Sequence, residues 1–179
     1  MSELTQEDKQ FLLKIARESI QAKLENRESR LPELHSPVLK EKRGVFVTLK
    51  KEGELRGCIG YIFPLAPLKD AVQRMALASA FEDPRFPPLS REEFPQITIE
   101  ISVLSPLRRI KTSQEFKVGV HGIYLEKGAY SAVFLPQVAP EQGWDRETTL
   151  EYLSLKAGLP PHGWKDAQLS VFTAEVFEE

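Results

Sequence analysis

The chain reads as an α+β protein, an antiparallel sheet packed with helices plus a smaller strand-rich part. Three observations predict this. Strand-type runs outnumber helical ones, most strand runs are joined by short polar or glycine turns, and the helical runs come singly. At 179 residues the chain fits one domain, because single cores commonly stop growing only at about 250 to 300 residues. That domain is either undivided or carries a smaller lobe within about 105–140, where short strand patterns and glycine concentrate.

Thr5 followed by Glu7 and Asp8 marks a helix start, since a hydroxyl cap and early acids complement the free amides there. Leu12, Ile15, Ala16, Ile20 and Leu24 then recur at helical spacing, enough for roughly five turns. Leu31-Pro32-Glu33-Leu34-His35-Ser36-Pro37 cannot continue that helix, because each proline lacks a donor and restricts its predecessor. It is expected to be a connecting loop and a linker. Val45 to Leu49 and Leu55 to Phe63 are β-forming runs around Lys50-Lys51-Glu52-Gly53-Glu54, which predicts a hairpin. Pro67 precedes Leu68, Ala71, Val72, Met75 and Ser79, a second helix whose alanines suit close packing on a sheet.

Asp83-Pro84-Arg85-Phe86-Pro87-Pro88-Leu89 excludes regular structure and predicts a rigid loop. Ser90 and Glu93 have capping-box spacing for a short helical turn. Gln96 to Leu104 alternates as a half-buried strand, with Thr98, Glu100 and Ser102 on its polar face. Lys117 to Glu126 and Ala129 to Leu135 are further strand runs. Asp145 and Thr148 start a helix that Gly158-Leu159-Pro160-Pro161 stops, and Leu169 to Phe177 alternates as one last strand.

Twenty-four basic residues against 26 acidic ones give a formal charge of −2, so general attraction to phosphate is not built in and nucleic acid is a poor default partner. One cysteine, Cys58, rules out an internal disulfide and any Cys-x-x-Cys zinc site, which suits a reducing compartment. The acidic, polar start and the lack of a long apolar run predict a cytoplasmic protein without membrane segments.

Period-two geometry on the strand around Cys58 sets Arg56, Cys58 and Gly60 on one face and Leu55, Gly57 and Ile59 on the other. A guanidinium about 7 Å along the strand would favour thiolate over thiol. Cys58 is therefore a candidate nucleophile or redox group; the alternative is a structural cysteine in a tightly packed strand. Gly57 and Gly60 leave room for a ligand or another backbone. Glu100 is either solvated, paired with a basic neighbour such as Arg56, or functional. His121, between Gly119 and Gly122, belongs at a strand end or turn, as a proton acceptor or as a hydrogen-bonded turn residue. Asp83, Arg85 and Phe86 suit either a recognition surface or a self-contained turn. No spaced metal-ligand set, Walker loop or nucleophile elbow is present.

Four blocks together resemble one family: Leu55-Arg56-Gly57-Cys58-Ile59-Gly60, Asp83 to Leu89, Val118-Gly119-Val120-His121-Gly122-Ile123, and Phe134-Leu135-Pro136-Gln137-Val138-Ala139 through Glu141-Gln142-Gly143-Trp144-Asp145. In this order they are similar to the AMMECR-type domain, also called AmmeMemoRadiSam system protein A, over about Leu12 to Phe177. The resemblance implies an α+β fold with a larger and a smaller lobe on antiparallel strands. It also implies company with a Memo-type protein and a radical S-adenosylmethionine enzyme in a multi-protein modifying system. It implies no established activity and no known cofactor.

Two functional readings follow. In one, Arg56, Cys58, Glu100 and His121 form a catalytic cleft, with Cys58 as thiolate and His121 as base. In the other, the Arg85-Phe86 loop and the Gln142-Gly143-Trp144 loop dock a protein partner and the chain is not itself a catalyst. Gly57, Gly60, Asp83, Arg85, Phe86, Gln142 and Trp144 are the candidate binding residues.

Overall fold

The structure is a computed structural model, described over residues 3–31 and 33–179. The chain divides into two compact units. The first runs up to Leu104 and takes back Glu175–Glu179 from the end of the chain; the second is Ser105–Ala174.

In the first unit, helix α1 (Gln6–Glu25) starts at Thr5, where a reciprocal pair of bonds with Asp8 satisfies free amides. The Asp8 N–H donates to Thr5 Oγ1 at 3.1 Å and the Thr5 N–H to the Asp8 carboxylate at 2.9 Å. The helix ends at Asn26, which adopts the left-handed conformation (φ 56°). Its inward stripe includes Leu12, Ile15, Ala16 and Ile20, all fully buried, and each of the larger three contributes about 1.5–3 kcal/mol by leaving water.

Strands β1 (Val45–Lys51) and β2 (Glu54–Tyr61) form the expected hairpin around Glu52 and Gly53, which both take positive φ. Helix α2 (Leu68–Phe81) follows Pro67, and β3 (Ile97–Leu104) pairs with β1. With β8 (Ala174–Glu178) they make a four-stranded sheet in the order β2-β1-β3-β8. Val45, Val47, Leu49, Ile97, Ile99, Ile101 and Val103 point to one face and form a single core with the inward sides of α1 and α2. Phe46, Thr48, Lys50, Thr98, Glu100 and Ser102 therefore share the opposite face.

The second unit holds β4 (Arg108–Arg109), β5 (Gly122–Lys127), β6 (Tyr130–Phe134) and β7 (Gln168–Phe172), in the order β4-β7-β5-β6. Two helices accompany them, α3 (Val138–Gln142) and α4 (Arg146–Lys156). The Asp145 carboxylate caps α4 by accepting the Thr148 N–H at 2.8 Å. Phe116, Ile123, Leu125, Leu150, Leu153 and Val171 form the core of this unit.

Several expectations need correction. The run from Leu169 to Phe177 is two strands, not one. β7 belongs to the second sheet and β8 to the first, and the ladder breaks at Thr173, which exchanges two 2.9 Å hydrogen bonds with Ser105 instead. Lys117 to Val120 is a turn: the N–H groups of Val120 and His121 both donate to the Lys117 carbonyl, and Gly119 has φ of 79°. The strand expected to reach Phe63 stops at Tyr61. The segment 31–37 lies inside the first unit, which continues to Leu104, so it does not separate the two units; Pro32 is outside the described residues.

Candidate functional site

The hairpin carries a one-residue irregularity that rearranges the β2 side chains. Lys51 pairs with Glu54 and Lys50 with Leu55, but Leu49 pairs with Gly57. Arg56 is therefore the unpaired residue of a β-bulge. From Gly57 onward each residue lies on the opposite face from the one that unbroken alternation would give it. Cys58 then stands beside Thr48 on the face away from the helices, together with Gly60 and Leu55. The expected grouping of Arg56 with Cys58 and Gly60 is thus corrected: Arg56 leaves the row.

Arg56 is almost fully buried and already committed. Its guanidinium donates to both carboxylate oxygens of Glu93, at 3.0 and 2.9 Å, and to the Pro87 carbonyl at 2.9 Å. This bidentate pair holds the Glu93 carboxyl down to about 2, chiefly through the Arg56 hydrogen bonds. Glu93 also closes the predicted capping box with Ser90.

Gly57 allows α2 to approach β2 closely, because a Cβ at Gly57 would sit 2.2 Å from the Ser79 carbonyl oxygen. Ser79, in the last turn of α2, accepts the Ile59 N–H at 2.9 Å and donates to the Val47 carbonyl at 2.7 Å. The hydroxyl thereby links helix and hairpin. At Gly60 a Cβ would meet the ring of Phe46 at 2.4 Å and the Val45 carbonyl at 2.3 Å. The space beside Gly60 is filled by its cross-strand neighbour.

The Cys58 thiol is half-buried and accepts the Thr48 hydroxyl at 3.2 Å. Burial pushes its pKa above the ordinary thiol value, against smaller lowering effects from Thr48 and from the Arg85 charge. The cation acting on the thiol is therefore Arg85, where the strand spacing pointed to Arg56. Burial thus favours the thiol over the thiolate, the form that suits a structural cysteine, the second of the two roles the sequence allows.

The backbone of Cys58 is held from outside the sheet. β2 is the terminal strand, and the Cys58 N–H points outward to the Asp83 carboxylate at 2.9 Å while its carbonyl accepts Arg85 Nη2 at 3.2 Å. Asp83 and Arg85 are in turn joined, at 3.0 Å through Nε and 2.7 Å through Nη2. Asp83 is 4% exposed, whereas the Arg85 side chain is 54% exposed. The hydrogen-bonded guanidinium beside Asp83 holds that carboxyl well below the usual carboxylate range. Phe86 packs against two cations, with the Arg85 and Arg56 guanidinium carbons 5.6 and 5.7 Å from its ring centre.

Glu100 flanks Thr48 on the side away from Cys58, since both pair with Thr48 in the register. Two strand spacings, about 10 Å, separate Cys58 from Glu100. The Glu100 carboxylate accepts Lys50 Nζ at 2.7 Å, so its basic partner is Lys50. Arg56, Cys58, Glu100, Asp83, Arg85 and Phe86 belong to the first unit, whereas His121, Gln142 and Trp144 belong to the second. His121 Nδ1 accepts the Lys117 N–H at 3.2 Å, and burial, with help from the Arg108 charge, lowers its pKa and favours the neutral imidazole. Gln142 ends α3 and is exposed. Trp144 stacks on Tyr152 at 4.3 Å and tilts against Phe134 at 5.8 Å.

Thr48, Ser79, Glu93 and Lys50 were not singled out from sequence. Two of them left a signal: Glu93 its capping-box spacing from Ser90, and Ser79 its place at helical spacing on the packed face of the second helix. Among the described residues no group of three or more His, Cys, Asp or Glu side chains could hold a metal ion, and no helix is long and apolar enough to cross a membrane.

These features define an α+β protein of two antiparallel sheets in which an Arg-Gly-Cys-Ile-Gly strand is locked from outside by an acidic-basic proline loop. Residues 13–177 match the AMMECR1 family, and the chain belongs to it. A Methanopyrus kandleri protein is 43% identical over 187 residues, covering 98% of this chain and 90% of the relative. One from Nanoarchaeum equitans is 41% identical over 177 residues, covering 94% and 98%. The crystal structure of the uncharacterized protein PH0010 from Pyrococcus horikoshii superposes with a TM-score of 0.88 at 43% identity, covering 94% of this chain and 90% of that one.

Proposed function

We propose that this chain is a partner-docking component of a multi-protein modifying system in the cytoplasm, acting beside a Memo-type protein and a radical S-adenosylmethionine protein. The partners come from the family resemblance. The single observation that favours docking over catalysis by this chain is the engagement of its would-be reactive groups: Arg56 is taken up by Glu93, and the half-buried Cys58 thiol is pushed towards its protonated form. Phe86, held against two guanidinium groups on a stiff proline loop, and the exposed Arg85 supply the aromatic and arginine anchors that dominate many interfaces. Rigid presentation lowers the ordering cost of binding.

The test is co-purification with the Memo-type and radical S-adenosylmethionine proteins of the same genome. Phe86→Ala or Trp144→Ala should abolish it and Cys58→Ser should leave it intact. Loss with Cys58→Ser alone would return the reading to a thiol-centred site at Cys58.

A further inference from the structure

The second unit contains a cavity of about 620 Å³ lined by Arg109, Ile110, Lys111, Thr112, Ser113, Trp164, Lys165, Ala167, Gln168 and Leu169. That volume lies in the range of small-molecule sites. None of the residues that carry the proposed docking function lines it.

Its charge is one-sided. Arg109, Lys111 and Lys165 supply three cations, and no lining residue is acidic, in a chain whose formal charge is −2. Elsewhere in this unit Arg108 pairs with Glu115 at 3.0 Å and Lys127 with Asp166 at 4.0 Å. Among the described residues Arg109, Lys111 and Lys165 enter no ion pair. Three solvent-exposed cations around one concavity lower the energy of an anion placed between them.

Two further features suit a ligand. Trp164 forms an aromatic wall with Lys165 Nζ 5.6 Å from its ring centre. The Thr112 and Ser113 hydroxyls and the Gln168 amide add neutral donors, while Ile110, Ala167 and Leu169 keep part of the wall apolar. A neighbouring cavity of about 440 Å³ shares Ser113, Trp164 and Lys165 but also has Asp145 and Glu147 on its walls, so the cationic excess is confined to the first.

We propose that this cavity binds a small phosphate-bearing molecule. Three cations match the −1.5 to −2 charge of a phosphate monoester better than a single carboxylate, and the Arg109 fork suits phosphate oxygens.

The experiment uses the full chain, with inorganic pyrophosphate as probe and sodium chloride at equal ionic strength as control, followed by amide and indole nuclear magnetic resonance shifts. Pyrophosphate is expected to saturate at about millimolar concentration or below, moving the Trp164 indole and the Ser113 and Gln168 amides, while chloride does not. Arg109→Gln, Lys111→Gln and Lys165→Gln should each weaken binding about two- to five-fold with unchanged spectra elsewhere, and the triple variant should not saturate. The proposal is overturned if pyrophosphate and chloride give the same shifts, if the shifts lie away from Trp164, or if the triple variant binds as the parent does.

Discussion

The Asp83 carboxylate accepts the backbone N–H of Cys58 at 2.9 Å, across 25 residues of chain. One oxygen of a loop acid thus does for the terminal strand what a neighbouring strand would do. The same carboxylate holds Arg85, so the sheet and the proline-rich loop share a single buried charge.

Asp83→Asn should therefore destabilise the chain by about 1–3 kcal/mol, since it weakens a buried hydrogen bond and the Arg85 pair together. The sign of its pH dependence follows from the depressed folded pKa, caused first by the Arg85 hydrogen bonds. Its stabilising contribution is complete above the unfolded carboxyl value of about 3.9 and is lost as pH falls from there towards the folded value. Urea unfolding at pH 7 and pH 3 should show a smaller acid loss in the variant than in the parent. Equal losses would remove Asp83 as a source of acid sensitivity.

Gly57→Ala places a methyl group 2.2 Å from the Ser79 carbonyl oxygen, a backbone atom of a packed helix that cannot swing aside. The expected cost is about 3 kcal/mol, at the upper end for overpacking. A denaturation midpoint within error of the parent would mean that α2 yields far more readily than its packing implies.

Native Cys58 should alkylate with iodoacetamide at pH 7.5 more slowly than a free thiol, because burial raises its pKa. The rate should rise to the free-thiol value in urea. Thr48→Val, which removes the hydrogen bond that lowers the pKa, should slow the native reaction further. A native rate equal to or above that of free thiol would favour a catalytic thiolate.

Helices α1, α2 and α4, the hairpin, the Asp83 loop and β3 could be read from sequence because each is fixed by local chemistry: caps, prolines and alternation. The face of Cys58 could not. A two-residue turn pairs Lys51 with Glu54 and Lys50 with Leu55, and regular continuation would set Arg56 opposite Leu49. The bulge sets Gly57 there instead, because only glycine tolerates α2 at that distance. The competition between register and helix packing is tertiary and leaves no period in the sequence. For the same reason Leu169 to Phe177 looked continuous: alternation persists through Thr173 while the strand changes partners. α3, five residues long around Pro140, was too short to show a helical period.

The Asp83–Arg85 lock also bears on self-association. A terminal strand presents unsatisfied N–H and carbonyl groups that template pairing with another copy of the chain, and at Cys58 both groups are occupied by side chains. A chain that loses Asp83 would keep its sequence of strands yet uncover that template beside the exposed Leu55. Its failure at high concentration would then be polymerisation through β2 before global unfolding.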